Sequence, residues 1–135
     1  MEKFAFLLDK IKKVGFPGTE VFVSVTDFFD GNGDDGSIGA NIYPDPPSLT
    51  QFYEILLAIK KLNKTEDLLV RISDTGDGEW FCPDAVYFFG DYQLHEVRQL
   101  FVALKPDEVY EGLMYGMPGN YTWLGIAKAY SIWWD

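Results

Sequence analysis

A chain of 135 residues with 47% apolar and 17% aromatic residues is sized to bury one core, and it is too aromatic for a disordered acidic tail. Its net charge of −10 repels nucleic acid, and its single cysteine, Cys82, excludes an internal disulfide. The opening apolar run, Phe4 to Leu8, is too short for a signal-peptide core or a membrane span, so a soluble, cytoplasmic protein is expected.

The predicted elements repeat as helix, strand, strand. In the first helix Phe4, Leu7, Leu8, Ile11 and Val14 form one apolar stripe, and Lys10, Lys12 and Lys13 suit the negative end of its dipole. Gly15 and Pro17-Gly18 stop it. The β-branched and aromatic run Glu20–Phe29 predicts a strand, Asp30 to Gly36 a turn, and 37–43 a return strand. Pro44, Pro46 and Pro47 then form a stiff connector.

Ser48, with Gln51 three residues on, predicts a capping box for a second helix that buries Leu49, Phe52, Tyr53, Leu56, Leu57 and Ile59. Strands follow over 67–73 and 85–90, joined by the acidic loop Asp74–Asp84. The third helix places Leu94, Val97, Leu100, Phe101 and Leu104 at core spacing and ends at Pro106. A strand near 108–115 and a last one over 127–134 flank the Gly/Pro-rich loop 116–125.

This order predicts an α+β domain spanning 1–135: three α-β-β units forming a six-stranded, mostly antiparallel sheet with three helices on one face. The opposite face should show Ser24, Thr26, Asn41, Tyr43, Arg71 and Ser73 among aromatics. Left uncovered, that face predicts a homodimer seam or a cleft lined by Tyr and Trp. Adjacent Trp133 and Trp134 should point to opposite sides of the last strand, one into the core.

Charge divides along the same pattern. The helical stretches 2–14, 48–64 and 92–105 hold nine Lys/Arg and four Asp/Glu, a net of +5; the rest holds two and seventeen, a net of −15. An electrically two-sided molecule is therefore expected, with its acidic side selecting basic partners. The acids concentrate in two loops. Asp30, Asp34 and Asp35 lie in the first; Asp74, Asp77 and Glu79 lie in the second, beside Trp80. Carboxylates next to an indole can receive Lys or Arg through ion pairing and cation–π contact, so these seven residues form the predicted partner-binding set. Trp80 and Phe81 could equally fold back over the core, as Trp usually does.

Other constellations read blandly. Asp30, Asn32 and Asp34 match the first oxygen-ligand spacings of a calcium loop, but Asp35 stands where that loop needs Gly and Asn41 where it needs Glu. A solvated turn is the better reading, and neither metal nor cofactor is expected. Glu108 and Glu111 lie on opposite faces of a strand, which is poor geometry for a catalytic pair. His95 has no second histidine to work with, and Cys82 has no neighbour in sequence that would lower its pKa. Arg71, the one cation on a confident central strand, either pairs with an acid internally or anchors an anionic ligand.

The closing Tyr130-Ser-Ile-Trp133-Trp134-Asp135, with Lys105 through Gly112, resembles the endings of a group of small, uncharacterised bacterial proteins. That resemblance covers the C-terminal third and implies no activity. The compact, acidic, aromatic-rich domain is also similar in character to bacterial immunity proteins, which neutralise toxin domains. Together these features lead to the expectation of a non-enzymatic acidic binding protein, an immunity-type inhibitor of a basic toxin or nuclease domain. The alternative is a small-molecule binder or enzyme working on the uncovered aromatic sheet face.

Overall fold

Five antiparallel strands in the order β1-β2-β3-β5-β4 organise the computed structural model, which describes residues 2–73, 80–123, 125 and 127–135. The elements run α1 (Glu2–Lys13), β1 (Phe22–Ser24), α2 (Val25–Phe29), α3 (Leu49–Lys60), β2 (Thr65–Arg71), β3 (Ala85–Gly90), α4 (Leu94–Leu100), a 3-10 turn (Val102–Leu104), β4 (Glu108–Glu111) and β5 (Lys128–Trp133). The α+β class is as expected; the three-unit, six-strand plan is not. Only α3-β2-β3 and α4-β4-β5 keep the predicted order.

The first unit fails for two local reasons. The apolar run from Glu20 switches to helix at Val25 because the Ser24 hydroxyl accepts from the Asp27 N–H at 3.1 Å, an N-cap that overrides the strand propensity of Val-Thr-Asp-Phe-Phe. Residues 37–43 form turns instead of a strand. Ser37, Ile38 and Gly39 are buried against α3 instead, with the Phe52 ring 2.6 Å from where a Cβ on Gly39 would stand; Gly39 also needs φ = +68°. Ser48 and Gln51 do form the capping box that starts α3.

Helices cover one face. Leu7 and Ile11 of α1, Phe28 of α2, Phe52, Leu56 and Ile59 of α3 and Val97 of α4 pack on Val23, Leu68, Val70, Val86, Phe88 and Ile132. Trp134 seals this layer, edge-on to Phe52 at 5.6 Å, and its Nε1–H donates to the Leu104 carbonyl at 2.8 Å. Trp133 faces the other way, as strand alternation predicts.

The second face is not open. Phe22, Leu69, Tyr87, Phe89 and Ala129 lie beneath Leu113, Met114, Tyr115, Tyr121 and Trp123, so residues 112–123 act as a strap over the predicted uncovered surface. Phe22 stacks on Tyr87 at 4.0 Å between ring centroids. Two sheet hydroxyls hold the strap by its backbone. Tyr87 OH accepts from the Tyr115 N–H and donates to the Gly116 carbonyl, both at 2.9 Å. Ser131 Oγ accepts from Met114 N–H at 3.0 Å and donates to the Gly112 carbonyl at 2.7 Å. A chain segment thus buries the apolar surface for which a dimer seam was expected. Tyr43, expected on that face, is 91% exposed in the proline connector.

Candidate functional site

The strongest polar cluster sits at the end of the sheet where β1 and β3 begin and β2 and β5 finish. Arg71 closes β2 on the strap side of the sheet. Its Nε and Nη2 donate to the two carboxylate oxygens of Glu20, just before β1, at 2.9 and 3.3 Å. Its Nη1 donates to Asp84 Oδ1, just before β3, at 3.0 Å. The guanidinium lies 3.7 Å from the centre of the Tyr115 ring. Tyr115 OH donates to Asp84 Oδ2, which also receives Trp133 Nε1–H at 3.3 Å.

The electrostatics follow from that geometry. Burial pulls the Arg71 pKa down, but the hydrogen bonds it donates to Glu20 and the charges of Asp84 and Glu20 outweigh it and hold the guanidinium more firmly charged than usual. Burial, followed by the bond to Asp84, pushes the Tyr115 phenol up to about 12. Arg71 is therefore a structural clamp between two strand starts, with its charge committed internally. The ligand-anchor reading of Arg71 gives way to the ion-pair reading.

Asp107, Glu108 and Asp135 stand at the same end, where β4 starts and β5 ends; Asp107 Oδ2 accepts from the Asp135 N–H at 2.7 Å. With Glu20 and Asp84 they make five carboxylates against the one guanidinium of Arg71, a net of −4 for these six residues. Trp133, Tyr110 and Tyr115 are half-buried among them. The arrangement can receive cationic groups at a partly apolar, aromatic surface.

Of the predicted partner-binding residues Asp30, Asp34, Asp35, Asp74, Asp77, Glu79 and Trp80, the described ones make contacts of their own. Asp30 pairs with Lys3 at 3.0 Å. Asp34 Oδ1 accepts from the Gly36 N–H at 3.0 Å, and Asp35 Oδ1 from the Leu49 N–H at 3.2 Å, at the start of α3. Asn32 Oδ1 accepts from the Asp34 N–H at 2.9 Å, so the calcium-like spacing is spent on turns. Trp80 is 3% exposed, edge-on to Phe4 at 5.5 Å, because its large apolar area is better placed against α1 than in water. Asp74, Asp77 and Glu79 lie outside the described residues.

Charge segregation is also weaker than the sequence predicts. Lys3–Asp30, Lys10–Asp27 at 2.6 Å and Lys60–Asp67 at 3.5 Å fold non-helical or short-helix acids back onto the basic helices. Sequence reasoning missed Glu20, Asp84, Tyr115 and Trp133 as a cluster. Arg71 was the available signal: a cation on a central strand demands acids, and both sit one or two residues before a neighbouring strand. Nothing in the local sequence marks Tyr115.

Fold and cluster together define a small acidic α+β protein with a helix-covered antiparallel sheet. The chain belongs to the family described as the uncharacterized protein YfbO family, whose model matches residues 2–134. It is 28% identical to the uncharacterized protein YfbO of Escherichia coli (strain K12) over 140 residues, covering 100% of this chain and 98% of that protein. No solved structure matches the chain. Among the described residues, no helix is long and apolar enough to cross a membrane.

Proposed function

We propose that this protein is a non-enzymatic acidic binding protein that receives a basic protein partner at the acidic–aromatic end of its sheet, as an immunity-type inhibitor of a toxin or nuclease domain would. One observation carries the reading. Arg71, the cation within this cluster, is already held by Glu20, Asp84 and Tyr115, so the end of the sheet keeps a net negative charge around half-buried Trp133 and Tyr110. Negative charge of this kind speeds encounter with a basic surface and fixes orientation, while the aromatics supply desolvated contact area.

The test is affinity capture from host-cell extract with the tagged protein, identified by mass spectrometry and repeated with Glu108→Lys and Trp133→Ala. A basic protein is expected whose capture falls with added salt and with both substitutions. Capture of no basic protein, or of one indifferent to both changes, overturns the reading.

A further inference from the structure

The two edges of the sheet are finished differently. At β1 the Ile72 N–H bonds to the Val21 carbonyl at 2.9 Å, and hydrogen-bonded pairs alternate along an antiparallel ladder, so the backbone groups of Phe22 point outward. The Asn120 amide takes both of them, accepting from Phe22 N–H at 3.1 Å and donating to Phe22 C=O at 2.7 Å. That edge is plugged. At β4 the Gly112 N–H bonds to the Ala129 carbonyl at 2.8 Å, and the same alternation turns the N–H and C=O of Val109 and Glu111 away from β5. Arg98 Nη2 meets the Val109 carbonyl at 3.5 Å, the outer limit of a hydrogen bond.

The surroundings of β4 differ on its two sides. On the helix side a groove of about 240 Å³ runs beside the strand, lined by the apolar Val102, Pro106 and Val109 and by the charged Arg98, Lys105 and Asp107, with Val102 68% exposed. On the strap side Glu108 and Tyr110 lie across from Trp133 and Ser131. A strand added here would set alternate side chains into the groove and over Glu108, Tyr110 and Trp133. Val102, Pro106 and Val109 suit apolar residues in the first set, and Glu108 suits Lys or Arg in the second, where cross-strand opposite charges are favourable. A second copy of this chain fits poorly, because its own Glu108 and Glu111 would be brought against the same carboxylates.

We infer that the β4 edge docks an extended strand of the basic partner, in which Lys or Arg alternates with apolar residues. The inference rests on the proposed function and names how that partner engages.

A dye-labelled peptide of about ten residues alternating Lys and Val, long enough to cover one strand, is titrated into the full-length protein. A block peptide of the same composition and an alternating Glu–Val peptide serve as comparisons. The alternating Lys–Val peptide is expected to bind best and to slow hydrogen exchange at the Val109 and Glu111 amides. Glu108→Lys should weaken it by about tenfold. Val102→Glu separates the ideas: strand addition predicts weaker binding because the exposed apolar contact at Val102 is lost from the groove, whereas simple charge attraction predicts tighter binding. Equal binding of both Lys peptides, tighter binding to Val102→Glu, or unchanged β4 exchange overturns strand docking and leaves the basic-partner reading standing. Binding of neither Lys peptide overturns both.

Discussion

The side-chain amide of Asn120 lies along the backbone of Phe22 as a neighbouring strand would, taking its N–H at 3.1 Å and its C=O at 2.7 Å. Gly119 N–H extends the mimicry to the Glu20 carbonyl at 2.8 Å. A side chain thus closes an edge that would otherwise present unpaired backbone.

Asn120→Ala should strip both bonds from Phe22 and cost about 1–2 kcal/mol, since part of the lost bonding is recovered from water. Asn120→Asp keeps an acceptor for the N–H but sets a carboxylate against the carbonyl, so it should not rescue the loss. Urea unfolding of the three proteins checks the order. An Asn120→Ala protein as stable as the parent would show that the strap holds without its plug.

Removing Arg71 should be worse than removing either acid. Its side chain is 18% exposed, and Arg71→Met leaves Glu20 and Asp84 facing each other without their shared cation. Loss of about 2–3 kcal/mol is expected, below the value for a fully buried pair because water reaches both carboxylates. Arg71→Lys should recover only part of it: one ammonium cannot make the forked contact to Glu20 and still reach Asp84. Chemical denaturation of both variants tests this.

Alkaline pH should unfold the protein through its tyrosines. Tyr87 is fully buried, and burial pushes its phenol from 10.0 up to about 12. Its folded pKa lies above its unfolded one, so its stabilising effect is complete below pH 10. Above that the unfolded chain ionises while the folded chain holds the proton, and stability falls by about 1.4 kcal/mol per pH unit from this residue until the folded pKa is reached. Burial raises Tyr115 and Tyr121 to about 12 as well, which steepens the fall. Tyr87→Phe should be less stable at neutral pH, having released Tyr115 N–H and Gly116 C=O. Its stability should nevertheless decline less steeply between pH 10 and pH 12, as urea midpoints would show.

Two buried tryptophans should respond differently to replacement by phenylalanine. Trp134 Nε1–H holds the Leu104 carbonyl, whereas Trp80 Nε1–H is buried with no hydrogen-bond partner among the described residues. Trp134→Phe loses packing and also orphans a buried carbonyl; Trp80→Phe loses packing but removes an unsatisfied donor. The first should cost more by about 1–2 kcal/mol in thermal or urea unfolding.

Legibility tracked how local each cause was. The apolar stripes of α1, α3 and α4, the capping box at Ser48 and the opposite facing of Trp133 and Trp134 follow from period and from residues three apart, and all were readable. The Ser24 cap was equally local, but the strand propensity around it masked the signal. Residues 37–43 alternate as a strand would; the burial of Ile38 and Gly39 against α3, not their alternation, decides their shape.

By itself, the sequence determined an acidic α+β chain with an antiparallel sheet, a basic bias in its helices, and a central-strand arginine that had to find acids. Tertiary structure alone decided which acids those are, which loop carboxylates turn back onto lysines, and that residues 112–123 cover the second sheet face. The physical reason is one of range. Periodicity, capping and turn chemistry act within a few residues, whereas Glu20 and Arg71, or Asn120 and Phe22, meet across 51 and 98 positions of chain. Such contacts form only once the sheet has aligned its strand ends, and no local pattern announces them.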